Sequence, residues 1–157
     1  MPVEMPSIAS RFLQPGHLVI ATEPMQVTTI LGSCVAVCLF DTTRHIGGMN
    51  HFMLPFASSG AASSPRFGDV AMKELYDGLR KAGARLPFLQ ARVFGGASMF
   101  HDLKNSVTTT LGDKNVELAL DFLARTAVDI VQVETGGERG RKLIYRTDEG
   151  TVCLKSI

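Results

Sequence analysis

"ILGSCVAVCLFD", residues 30–41, is followed after a short polar break by "IGGMNHFML", residues 46–54. The first stretch holds an unbroken apolar run, "VAVCLF", that is too short for a helix and rich in β-branched residues. The second is a run of similar length. Two such runs separated by Asp41-Thr42-Thr43-Arg44 predict a β-hairpin. With Thr42 and Thr43 as a two-residue loop, Asp41 faces Arg44, Val37 faces Gly48 and Cys34 faces His51. Directly opposed residues on one face of a sheet have Cβ atoms about 4.5–5.5 Å apart. The predicted register therefore brings a thiol to an imidazole. A one-residue slip, which a bulge at Gly47-Gly48 would cause, sends the two side chains to opposite faces.

The pairing matters because a free thiol, with a pKa of about 8.5, is mostly protonated at neutral pH. A neighbouring imidazole that takes the proton leaves a thiolate–imidazolium pair, a nucleophile for acyl transfer. Cys34 follows Gly32-Ser33, small residues that let a substrate approach and whose turn offers N–H groups to an oxyanion. Cys38 lies two pleats further on, mid-strand, and reads as a core residue. The Cys34–Cys38 spacing is not that of a zinc site, and no cofactor or metal is expected. Among the other histidines, His45 falls near the hairpin tip, His101 in a loop and His17 in an exposed approach.

Outward from the hairpin, "HLVIATEPMQVTTI" (17–30) reads as two short strands broken at Pro24. Residues 1–13 read as a loose lead-in and 14–157 as one domain. "PFASSGAASSP" (55–65) is a small-residue loop. Met72, Leu75, Tyr76 and Leu79 predict an amphipathic helix that stops at Gly83. "FLQARVFG" (88–95) is a strand ending in Gly95-Gly96. A second helix is expected from about 115 to 125, with Val116, Leu120 and Leu123 on one face. "VDIVQVET" (128–135) is a strand, and "KLIYRTDEGTVCLKS" (142–156) a hairpin around Asp148-Glu149-Gly150. Two helices cannot cover both faces of so many strands, so a layered α+β sandwich is expected in place of a doubly wound sheet.

Composition narrows the function. The chain has 157 residues, 45% hydrophobic and 20% charged, with a formal net charge of +1. That balance argues against a strong electrostatic grip on nucleic acid or an anionic membrane. The longest apolar run is far short of a membrane span. Three cysteines do not make a disulfide framework, and a reducing cytoplasm is the expected setting.

"LGSCVAVCLFD" and "GGMNHFMLP" together resemble the signature of the CheD family, chemoreceptor glutamine deamidases of bacterial and archaeal chemotaxis. "RFGDVAMKEL", "VFGGASMF", "NVELALDFL" and "ETGGERGRKLIYRTDEGTV" continue the resemblance in order, so that it spans about residues 14–157. It implies a three-layer α/β/β sandwich like that of the cytotoxic necrotizing factor type deamidases. It also implies hydrolysis of particular receptor Gln side chains to Glu, with Cys34 as nucleophile and His51 as base. The orienting third residue falls on Thr28, with Thr29 beside it as the alternative. Gly32 and Ser33 are candidate oxyanion groups and Ser98 a candidate substrate contact. Arg139 or Arg141 would meet acidic receptor groups. The implied partners are methyl-accepting chemotaxis receptors and, in some members, a CheC-type phosphatase. A related thiol acyl transferase or esterase, and a non-enzymatic adaptor that keeps the pair as a relic, are the rival readings.

Overall fold

The structure, a computed structural model, describes residues 8–57, 62–98 and 109–157. His101 and residues 58–61 of the small-residue loop lie outside the described residues. The elements run β1 (Ala9–Phe12), β2 (Leu18–Ala21), β3 (Met25–Leu31), β4 (Val35–Asp41), β5 (Ile46–Asn50), α1 (Gly68–Lys81), β6 (Leu89–Gly95), α2 (Leu111–Thr126), β7 (Asp129–Thr135), β8 (Arg141–Arg146) and β9 (Val152–Ser156). Two sheets form among them. One has the order β1-β3-β8-β9 and the other β2-β5-β4-β6-β7.

Strand β4 explains the layering. Val35, Val37 and Leu39 pack with Met72, Leu75 and Leu79 of α1 and with Leu118 and Leu123 of α2. Ala36 and Cys38, on the other face, pack with Val27, Leu31, Leu143 and Tyr145 of the four-stranded sheet. The five-stranded sheet is thus a middle layer, with the helices on one face and the second sheet on the other. A strand covered on both faces has no polar side to show, which is why "VAVCLF" is continuously apolar instead of alternating. The expected layered α+β arrangement is present. Pro24 separates β2 from β3 as anticipated, and the two strands enter different sheets.

Three expectations are corrected. Part of the lead-in is structured: β1 pairs in parallel with β3, and Leu13 is fully buried. All four side chains of β1 are exposed, so this edge strand carries no apolar pattern to read. The hairpin register is displaced by two residues, with Asp41 opposite Ile46 and Cys38 opposite Met49. The cause lies in the loop. The Asp41 carboxylate accepts from the N–H groups of Thr43 (2.9 Å) and Arg44 (2.8 Å). The Asp41 carbonyl accepts from His45 N–H at 2.9 Å, and His45 takes a φ of 55°. This closes a four-residue loop, whereas a two-residue one needs positive φ at positions that β-branched threonines resist. Gly47-Gly48 makes no bulge; a Cβ on Gly48 would stand 2.7 Å from the Val19 carbonyl oxygen, so the strand is packed too closely for a side chain.

Helix α1 matches its periodicity and ends at Lys81, just before Gly83, whose φ is 113°. Helix α2 starts earlier than expected, on a capping box in which Thr110 and Asp113 satisfy each other's N–H groups. Its buried face is Asn115, Leu118, Ala119 and Leu123, while Val116 and Leu120 are only partly buried.

Candidate active site

The site forms where the β4–β5 ladder opens. Regular pairing ends at Cys38 and Met49. The Val37 N–H then donates to the Asn50 side-chain carbonyl at 2.9 Å, not to the opposite main chain. One further bridge joins Val35 to Phe52. Continued by one step, this register sets Cys34 across from Met53, with His51 on the diagonal. Diagonal neighbours share a face at about 7–8 Å between Cα atoms, within reach of side chains. A displacement of two residues, unlike one, keeps that face. Cys34 packs against the inter-sheet cluster, and His51 reaches β3 of the facing sheet.

His51 is 1% exposed and held on both sides. Its N–H donates to the His17 carbonyl (3.2 Å), and its carbonyl accepts from Gly16 N–H (2.7 Å). Its Nδ1 lies 2.7 Å from Thr29 Oγ1. The Thr29 hydroxyl donates its single proton to the Leu13 carbonyl at 2.8 Å, so toward His51 it acts as acceptor. Nδ1 therefore carries the ring proton in the neutral imidazole, and Nε2 is left with an open lone pair. Nε2 is buried and has no hydrogen-bond partner among the described residues.

The threonine on the imidazole is Thr29, not Thr28. On β3, Val27, Thr29 and Leu31 point into the inter-sheet layer and are fully buried, while Thr28 and Ile30 point to the other face.

Burial sets the protonation states. It pushes the His51 pKa down to about 4. It raises the Cys34 thiol, a shift opposed by a hydrogen bond from the residue's own backbone N–H. At neutral pH the pair rests as thiol and imidazole, not as the thiolate–imidazolium that adjacency alone would suggest. Cys38 is fully buried, and its thiol is raised much further. It is a core residue, as its position mid-strand indicated.

The turn before β4 is held by its carbonyls. Gly32 C=O accepts from Ala97 N–H and Cys34 C=O from Gly96 N–H, both at 2.9 Å. Ser33 C=O accepts from Asn115 Nδ2 at 3.0 Å. The end of β6 thus cradles the Cys34 peptide, and Gly95, with a φ of 106°, has no room for a Cβ beside the Cys34 carbonyl.

Protein comparisons place this architecture. The family model described as CheD chemotactic sensory transduction matches residues 53–156. A probable chemoreceptor glutamine deamidase of Anaeromyxobacter dehalogenans is 42% identical over 95% of this chain and 85% of its own length. The chain belongs to the CheD family. A second relative of the same name, from Trichlorobacter lovleyi, is 41% identical over 94% of this chain and 90% of its own. Among solved structures, the hypothetical protein YfiH of Bacillus licheniformis aligns with a TM-score of 0.42 at 13% identity. That alignment covers 71% of this chain and 49% of YfiH, a likeness too distant to bear on function.

In this CheD-family chain the remaining candidates disperse. His45 is exposed at the hairpin tip, where its Nδ1 meets the Asp148 carbonyl at 3.1 Å. His17 is exposed, and only its carbonyl serves the site. Ser98 N–H donates to Gly137 C=O at 2.8 Å, joining the two Gly-rich loops. Arg141 donates to Gly95 C=O (3.3 Å) and Gly136 C=O (2.8 Å), so it braces those loops. Arg139 is exposed beside a cavity of about 390 Å³. Sequence reasoning missed Asn50 and Asn115. Asn115 did leave a signal: a polar residue four before Ala119 and eight before Leu123, at a core position of an amphipathic helix.

Proposed function

We propose that this chain is a chemoreceptor glutamine deamidase, with Cys34 as nucleophile, His51 as base and Thr29 as the residue that orients His51. The observation that carries the reading is the buried His51 imidazole, its Nδ1–H engaged by Thr29 and its Nε2 without a partner among the described residues, on a residue that the strand register sets diagonal to Cys34. The family relatives named as chemoreceptor glutamine deamidases support the substrate.

The chemistry follows from the resting charges. His51 Nε2 takes the thiol proton as sulfur attacks the carboxamide carbon of a receptor Gln, so no ion pair has to be held in advance. A C–S bond forms, and the oxygen becomes an oxyanion facing the N–H groups of Cys34 and the Gly32-Ser33 turn. The imidazolium returns its proton to the amide nitrogen, the C–N bond breaks and ammonia leaves. His51, neutral again, draws a proton from water as it attacks the thioester. The C–S bond breaks as the imidazolium gives that proton to sulfur, leaving Glu, the thiol and a neutral His51. Thr29 accepts from Nδ1–H throughout, and gains strength while the ring is charged. Burial that disfavours imidazolium makes its stay brief.

Ser98, at the junction of the Gly-rich loops, is the substrate contact in this reading, and exposed Arg139 meets acidic receptor groups. The substrate is the cytoplasmic helical region of the receptor, which sets the reaction in the cytoplasm. A CheC-type phosphatase is the regulator implied by the motifs, as is kinship with the cytotoxic necrotizing factor type deamidases. The test is incubation with a receptor cytoplasmic fragment, followed by mass spectrometry for Gln converted to Glu. Conversion by the wild type and none by Cys34→Ala is the expected result. Conversion by Cys34→Ala would overturn the site.

A further inference from the structure

We propose that Asn115, on α2, is a positioning residue for the oxyanion site: by holding the Ser33 carbonyl it aims the Cys34 N–H at the developing oxyanion. The proposal rests on the reading of Cys34 as nucleophile and extends it to a residue on another element.

In a trans peptide the carbonyl and the following N–H point in opposite directions, and the described residues contain no cis bond. Whatever fixes the Ser33 C=O therefore fixes the Cys34 N–H. Asn115 Nδ2 binds that carbonyl at 3.0 Å. The neighbouring carbonyls are held by Ala97 and Gly96 N–H groups. Three successive carbonyls are thus each fixed by a hydrogen bond. Among the described residues, the Cys34 N–H donates to no main-chain carbonyl. An N–H beside the nucleophile is where an oxyanion donor has to be.

The same Nδ2 also donates to the Met53 carbonyl at 3.1 Å. Met53 lies two residues after His51, and Ser33 directly precedes Cys34. One buried amide thereby ties together the segments that carry the base and the nucleophile. Asn115 is completely buried, and its Oδ1 has no hydrogen-bond partner among the described residues. Leaving a buried amide oxygen unpartnered is unfavourable. A residue chosen only to fill the α2 face would be apolar, as Leu118 and Ala119 are. Among the described residues, the other buried side-chain atom without a partner is His51 Nε2.

The test separates this role from general support. Deamidation passes through an oxyanion, whereas alkylation of a thiol by iodoacetamide is a direct displacement with none. Asn115→Asp, close to isosteric, and Asn115→Ala are compared with wild type by thermal melting, by deamidation of a receptor fragment, and by Cys34 alkylation across pH. The expected result is a fall in deamidation kcat of about tenfold to a hundredfold. KM and the pH profile of alkylation stay close to wild type. Equal losses in both reactions would assign Asn115 to structural support and overturn the proposal. Unchanged kcat would overturn it too, as would failure of both variants to melt cooperatively. Cys34→Ala assayed alongside keeps the two readings distinct: retained deamidation there overturns the nucleophile, whereas wild-type turnover in the Asn115 variants overturns only the positioning role.

Discussion

The His51 ring is neutral in the folded protein at any pH well above 4. An unfolded chain protonates its histidine near pH 6.5. As pH falls through that interval the unfolded state gains a proton that the native state refuses, so stability is full above about pH 6.5 and declines toward pH 4. The difference amounts to about 3 kcal/mol from this one group. Urea melts at stepped pH check it: His51→Gln should flatten that part of the pH dependence. Thr29 and Thr28 separate in the same plain way. Thr29→Val keeps the shape but leaves His51 Nδ1–H and the Leu13 carbonyl without their common partner, a loss of about 1–3 kcal/mol with a fall in deamidation. Thr28→Val should change both by little. Equal effects of the two variants in melts and turnover would contradict the orientation of β3. The raised Cys34 thiol predicts slow iodoacetamide alkylation of the free protein at pH 6 to 7, in contrast to a preformed thiolate. Mass spectrometry of the modified peptide reads that rate.

At the scale of elements, α2 both covers the middle sheet and carries Asn115 to the turn before β4. Its start depends on the Thr110–Asp113 capping box. Thr110→Ala should lower the unfolding free energy by about 1 kcal/mol, measurable as a shift in denaturant midpoint at unchanged slope. The two Gly-rich loops behave as a single rim because Ser98, Gly136 and Arg141 bond across them. Arg141→Met keeps the length of the side chain and removes its two carbonyl contacts. It should loosen the rim and raise KM for a receptor fragment more than it lowers kcat, whereas charge reversal at exposed Arg139 should act on receptor affinity with little change in melting. Steady-state kinetics and thermal melts together distinguish the two arginines.

Across the molecule, a hydrogen-bonded relay joins the two sheets: the Leu13 carbonyl accepts from the Thr29 hydroxyl of one sheet, and Thr29 in turn holds His51, which follows β5 of the other. Leu13 is wholly buried at the end of β1, so a truncation through Leu13 should depress deamidation beyond what lost stability explains. Assays well below the melting temperature test that. Part of this design could be read from residues alone. "VAVCLF", the break at Pro24 and the 3.6-residue rhythm of Met72 to Leu79 specify strands and helices because burial demands apolar residues at those spacings. That Cys34 and His51 share a face was legible because a hairpin of either register keeps them on one side of the sheet. Tertiary structure decided the rest. Loop geometry at Asp41 set the register. The facing sheet selected Thr29 over an adjacent identical residue. Main-chain hydrogen bonds made a strand of β1, and helix packing brought Asn115 to the Ser33 peptide. These are contacts between segments distant in sequence, governed by how buried polar groups find partners in space, and no local pattern of side chains encodes them.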